Sequence, residues 1–237
     1  MRLLLSALLV MLAGTAAPPA LTQAEGEGAA VPVDKAPYHL PVFSNEYVTL
    51  LKIEIPPQRT AGYHTHSRDS VSVNIEPADM INQDLGAPTG VPSERAARGR
   101  AQFTAYSKQP PRTHKASNVG TTPFHNISFI FRSPAAHGFA PSSRTEAPAY
   151  AQILDNERVR GWRLVLAPGQ SAAAITQRAP GLRVVVGGGE IVERVPGQPE
   201  RGWRLNAGEF YWQEAGVTRE VRNNGSTRVK LAEFELK

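Results

Sequence analysis

Apolar and polar residues alternate with a period of two over several short runs of the chain. Thr49 to Ile55 alternates, as do Ser70-Val71-Ser72-Val73-Asn74-Ile75 and Phe124 to Phe131. Trp162 to Leu166, Leu182 to Val186 and Val229 to Leu236 show the same habit further on. A period of two places successive side chains on opposite faces of an extended strand. Between the runs, Pro56-Pro57 and Ala167-Pro168-Gly169 turn the chain. No amphipathic helix longer than about three turns stands out, and Ser93–Ala101 is the best short helix candidate. The pattern predicts an all-β protein of many short strands, as in sandwiches and barrels.

Laid on itself at an offset of 111, the chain matches. Phe43-Ser44-Asn45-Glu46-Tyr47-Val48 meets Leu154-Asp155-Asn156-Glu157-Arg158-Val159, and Lys52 to Pro57 meets Arg163 to Pro168. The register continues through Thr60/Ser171, Thr65/Thr176 and Val73/Val184. At an offset of 105, Asn118-Val119-Gly120-Thr121-Thr122 meets Asn223-Asn224-Gly225-Ser226-Thr227, and Phe129 meets Phe234. The first copy therefore carries six extra residues, expected in the Pro- and Gly-rich stretch Pro77–Gly99. Two copies of a unit of about 95 residues, the size of a small β domain, fill most of the chain. The expected organisation is a flexible leader over 25–37, a first barrel over 38–132, a linker over 133–148 and a second barrel over 149–237.

Ahead of these lies Met1-Arg2 and an apolar run from Leu3 to Ala13, followed by small residues. This run is too short to span a bilayer and reads as a secretory signal over 1–24, with cleavage after Ala24 in Thr22-Gln23-Ala24. The expected location is secreted or periplasmic. The absence of cysteine excludes disulfides, thiolate metal sites and cysteine nucleophiles. The chain is mildly basic, with 26 Lys and Arg against 21 Asp and Glu. Arg95, Arg98, Arg100, Lys108, Arg112 and Lys115 cluster with only Glu94 nearby in sequence. No aromatic residues interleave with them, so nucleic acid is not expected, and the inference is a bias toward small anionic ligands. No transmembrane segment is expected after signal removal, and a homodimer is left open.

Candidate chemistry concentrates in the first copy. In Gly62-Tyr63-His64-Thr65-His66, two histidines two apart on a strand project to one side, at a spacing suited to a single metal ion. On the next strand Ser70, Ser72 and Asn74 share that face, while Val71, Val73 and Ile75 take the other. This arrangement suggests a polar barrel interior around the pair. His114, in Pro111-Arg112-Thr113-His114-Lys115-Ala116-Ser117-Asn118, is the third candidate ligand. His125, out of step with Asn126 and Ser128, is read as packing or rim, with pocket lining as the alternative. His39 and His137 fall in the leader and the linker.

Together these blocks resemble the cupin superfamily. Its first motif runs Gly, five residues, His-x-His, three or four residues, Glu, six residues, Gly; its second includes Pro-x-Gly-x-x-His-x-x-x-Asn. The resemblance covers both copies and implies a bicupin: two tandem antiparallel jelly-roll β-barrels. It further implies that His64, His66 and His114 hold one divalent metal, iron(II) first, with manganese, nickel, copper and zinc open. Asn118 takes the place of the motif's turn-forming Asn. The motif's Glu falls at Ser70 or Val71. Asp69 is one residue short and has the wrong strand parity unless a bulge turns it inward.

In the second copy, the places of His64, Thr65 and His66 are taken by Ile175, Thr176 and Gln177, and that of His114 by Arg219. No divalent metal site survives there. Arg219, if it points inward, offers a fork of donors for a carboxylate or sulfate. The second barrel is expected to bury the apolar face of Val71, Val73 and Ile75. Two functions follow: a metal-dependent oxygenase or isomerase acting on a small organic molecule, or a non-catalytic bicupin that binds a small ligand or serves structure.

Overall fold

The computed structural model describes residues 29–237, so the segment 1–24, expected as a signal, lies outside the described residues. Ten strands form the first half. They are β1 (Val31–Pro32), β2 (His39–Ser44), β3 (Val48–Ile55), β4 (Thr60–His66), β5 (Ser70–Glu76), β6 (Met80–Asp84), β7 (Val91–Pro92), β8 (Ala101–Thr104), β9 (Arg112–Asn118) and β10 (Phe124–Phe131). Nine form the second: β11 (Tyr150–Asp155), β12 (Val159–Leu166), β13 (Ser171–Thr176), β14 (Gly181–Gly187), β15 (Gly189–Arg194), β16 (Arg201–Leu205), β17 (Phe210–Gln213), β18 (Thr218–Asn223) and β19 (Val229–Leu236). Among the described residues there is no α-helix, and no helix long and apolar enough to cross a membrane. The first half pairs a β1-β4-β9-β6-β7 sheet with a β2-β3-β10-β5-β8 sheet; the second pairs β11-β12-β19-β14-β17 with β13-β18-β15-β16. Each half is thus one jelly roll.

The repeat holds at the level of single hydrogen bonds. Asn118 donates its amide to the carbonyls of Ile55 and Thr122 and accepts from the Gly120 amide. Asn223 makes the same three bonds to Leu166, Thr227 and Gly225. The Thr65–Thr113 hydroxyl pair at 2.8 Å recurs as Thr176–Thr218 at 2.8 Å. Each asparagine closes a turn by satisfying backbone groups that the sheets leave unpaired.

The strand faces sort as the alternation requires. Val71, Val73 and Ile75 join Val48, Leu50, Ile127 and Phe129 in one apolar cluster with Leu182, Val184, Val186, Ala232 and Phe234. The outer face of one barrel thereby buries the outer face of the other. Aromatic rings extend the seam, with Trp212 stacked on both Phe43 and Tyr47. This core leaves each barrel's inward face free to differ.

Four expectations are corrected. The leader is ordered from residue 29: Val31 and Pro32 pair in parallel with His64 and Thr65, and Val33 and Ala36 are buried. Proline lacks an amide hydrogen, which suits this edge position. The linker is not merely a spacer, because Ser142 caps the 3-10 turn Ser143–Glu146 and that turn drives Arg144 into the second barrel. Ser93–Ala101 is not a helix; the amide of Asn74 holds the carbonyl of Ala96 in an extended loop instead. The six extra residues are not all in Pro77–Gly99. The offset is 111 at Asn82/Glu193, 109 at Thr104/Gln213 and 105 at Thr113/Thr218, so four of them fall between Thr104 and Thr113.

Five of the six cations of the basic cluster are paired with carboxylates. Arg95 pairs with Asp79, Arg98 with Glu76, Arg100 with Glu94, Lys108 with Glu157 and Arg112 with Asp84. Apart from Glu94, these carboxylates are brought in by strand pairing and barrel packing, so the bias toward anions inferred from this cluster is withdrawn.

Candidate metal centre

Strands β4 and β9 run antiparallel, with His64 opposite His114 and His66 opposite Arg112. A bulge between Ala61 and His64 adjusts the register just before the pair. Alternation turns His64 and His66 to one face, and His114 meets them across the ladder. One ring nitrogen from each of the three lies within 4.8 Å of the others. Their ring centres are 4.6, 5.1 and 5.1 Å apart. Imidazoles bound at about 2.1 Å to one ion place their ring centres ~3.2 Å from it, hence ~4.5–5.2 Å from each other at angles of about 90–109°. The three rings stand at the separations that one ion requires.

The donor chemistry agrees. Nδ1 of His64 lies 2.9 Å from the carbonyl of Gly62, a contact that needs the proton on Nδ1 and leaves the lone pair on Nε2. Nε2 of His66 and Nε2 of His114 are 3.1 Å apart, and Nδ1 of His114 is buried without a partner. Burial, reinforced by the neighbouring His64, lowers His66 to about 3 and His114 to about 2. Burial lowers His64 as well, against the opposing effect of its Gly62 bond. Neutral imidazoles with inward lone pairs are what a divalent cation binds.

Two residues that the sequence reading did not place at the site complete the surroundings. His39, expected in the leader, starts β2; it is 7% exposed and its ring centre lies 4.6 Å from that of His64. Its Nδ1 donates to the carbonyl of Pro37, and burial lowers it to about 4. Tyr106 sits in the 3-10 turn Tyr106–Lys108 and stacks flat on His66, with ring centres 4.8 Å apart and planes 16° apart. That turn lies within the four-residue excess between β8 and β9. The length mismatch between the copies was the one sequence signal that could have found Tyr106. At the rim, Nε of Arg112 donates to Asp84 at 2.8 Å.

The fourth-ligand candidates do not converge on the histidines. Asp69 is 3% exposed, but its carboxylate accepts the Ser107 amide at 2.8 Å and faces Nη1 of Arg158 at 3.2 Å. It points to the seam between the barrels, so no bulge brings it inward. Ser70, Ser72 and Asn74 do lie on the face opposite Val71, Val73 and Ile75, yet the amide of Asn74 is taken by Ala96. His125 shares the outward parity of Ile127 and Phe129, and its ring lies directly over Gly208 of the second half. It is a seam residue rather than pocket lining. In the second half, Ile175 faces Arg219 in the register that joins His64 to His114. Gln177 is fully buried and its amide donates to the Ala179 carbonyl.

The depressed histidines set a pH dependence. An unfolded chain takes up these protons as pH falls through about 6.5, whereas the folded protein resists until about 4 or below for His39, His66 and His114. Their contribution is therefore fully present above about 6.5 and is lost as pH falls toward the folded values. Each contributes a slope of up to about 1.4 kcal/mol per pH unit. Urea unfolding of metal-free protein between pH 7.5 and pH 5.5 should show falling stability across that interval; a flat profile would contradict the burial of neutral rings.

Comparison with known proteins bears on the fold. No protein-family model and no curated protein sequence matches the chain. AerE from Microcystis aeruginosa superposes with a TM-score of 0.54 at 11% identity, over 85% of this chain and 98% of that one. A variant of salicylate 1,2-dioxygenase from Pseudoaminobacter salicylatoxidans, in complex with gentisate, gives 0.56 at 16% identity, over 88% of this chain and 77% of that one. A cupin domain from Bordetella pertussis aligns with 38% of the chain at 24% identity and a TM-score of 0.36. At these identities the two longer alignments speak for the fold alone, and that fold is the tandem jelly-roll arrangement implied by the sequence.

Proposed function

We propose that the chain is a metal-dependent dioxygenase of small organic acids, that its first barrel holds the metal, and that it acts outside the cytoplasm after removal of residues 1–24. The observation that carries this reading is the set of three neutral histidine nitrogens, two buried and that of His66 half-buried, with no carboxylate among them. His64, His66 and His114 would hold the ion. When bound, an ion such as iron(II) supplies Lewis-acid polarisation of a substrate oxygen and redox chemistry with dioxygen. Three protein ligands leave positions open for small molecules.

The chain's own residues supply orientation and shelter. The Gly62 carbonyl fixes the His64 tautomer. Tyr106 covers one face of His66 and limits water on that side. Arg112, across the ladder from His66, is held at the rim by Asp84 and walls that side of the entrance. A dioxygenase solved with the small aromatic acid gentisate is among the structural neighbours, which supports this choice of substrate class. The test is dioxygen uptake by iron(II)-loaded protein offered gentisate, salicylate and related small aromatic acids. Uptake that depends on one of these acids and vanishes in His66→Ala is the expected result. No acid-dependent uptake above the His66→Ala background would overturn the reading.

A further inference from the structure

The interior of the second barrel is filled with charge. Arg144, fully buried, donates through Nε and Nη2 to Glu233, through Nη1 to Glu235 and through Nη2 to Gln213. Arg183 donates through Nε to Glu233 at 2.7 Å and through Nη1 to Glu193. Both oxygens of Glu233 are thereby committed. Burial pushes that carboxyl up, but Arg183 and Arg144 outweigh it and hold it down to about 2.

Arg219 is the third guanidinium, and it has no carboxylate. It shares the inward face of β18 with Val221, which is fully buried in the barrel core, and it stands where the first barrel has His114. Its Nε is buried without a partner. Burial and then the nearby Arg183 push its proton affinity down, the sign of a cation short of compensation. Two further donors are stranded in the same interior: Nη2 of Arg183, a residue 3% exposed, and the hydroxyl of Tyr150, a residue 6% exposed. Tyr150 belongs to the same buried cluster as Val185 and Val221, which share the inward faces of β14 and β18 with Arg183 and Arg219, so these groups line one interior. Unpaired buried donors and a half-buried uncompensated cation are costly. A small planar anion with several acceptor lone pairs removes both costs at once.

We infer that the second barrel binds a small carboxylate through Arg219, Nη2 of Arg183 and the Tyr150 hydroxyl, at the place where the first barrel holds its three histidines. A guanidinium built into the chain there takes over the attraction for an acid that a metal ion would supply. Arg219 is only partly buried, which leaves the site open at that side. The inference does not depend on the proposed metal chemistry of the first barrel.

The test uses metal-free full-length protein and benzoate at constant ionic strength, followed by calorimetry and thermal unfolding. Saturable binding of one benzoate per chain is expected, weakened roughly tenfold or more in Arg219→Gln and several-fold in Tyr150→Phe. It should be unchanged in His114→Ala, which removes the first barrel as the site. Without anion, Arg219→Gln should unfold at a higher temperature than wild type, because an uncompensated cation has gone; saturating benzoate should erase that advantage. Absence of saturable binding would mean that water satisfies these donors and would overturn the inference. Binding unchanged in Arg219→Gln, or lost in His114→Ala, would overturn it as well.

Discussion

Arg144→Met should lower the unfolding free energy by about 3–5 kcal/mol, the usual cost of leaving a buried charge without its partner. Arg144 ties the segment joining the halves to the buried acids of the second barrel, Glu233 and Glu235. Removing it leaves Glu235 without its cation and Glu233 with Arg183 alone, beside apolar neighbours such as Trp162, whose ring lies 5.7 Å from the guanidinium. At roughly 2–4 °C per kcal/mol for a chain of this size, the melting temperature should drop by about 6–20 °C. Thermal unfolding followed by circular dichroism reads this directly. Adding Glu233→Gln and Glu235→Gln should recover much of the loss, since an amide carries no buried charge. A single variant melting within about 1 °C of wild type, far short of that drop, would show the network to be dispensable.

His114→Ala should weaken divalent-metal binding by roughly 10²–10³-fold, because two imidazoles must then do the work of three and each ligand carries several kcal/mol of the binding energy. The barrel should stay folded. Arg219 occupies the equivalent ladder position of the second barrel, opposite Ile175, without disturbing the strand pairing, so the frame tolerates an unrelated side chain there. Circular dichroism matching wild type, together with lost metal affinity, separates a ligand from a structural residue. Tyr106→Leu should change affinity less, since that ring touches His66 without offering it a bond.

Much of this architecture is legible in the chain because the repeat preserves backbone bonds. Asn118 and Asn223 mark the same turn in both copies, and the period of Ser70 to Ile75 sorts the seam face from the interior face correctly. Of the three histidines, two were legible from their shared strand parity, and the third was joined to them by the motif resemblance. What escaped was delivered by segments without periodicity. His39 sits among prolines at the very start of β2, where nothing marks it as bound for the same cluster. Tyr106 arrives on the four-residue excess between β8 and β9, and Arg144 on a segment that reads as a spacer. Asp69 was misdirected for a different reason. Its partner Arg158 belongs to the second copy, and no local pattern reports a bond across the seam.

The central claim is that one barrel is built for a metal and the other is not. Metal analysis of tag-free protein, purified and then dialysed against iron, manganese, nickel, copper or zinc, tests it most directly when run beside His114→Ala. One ion per wild-type chain, and essentially none in the variant, is the predicted result. A wild type that neither carries nor gains stoichiometric metal, or a His114→Ala variant that retains it fully, would contradict the account.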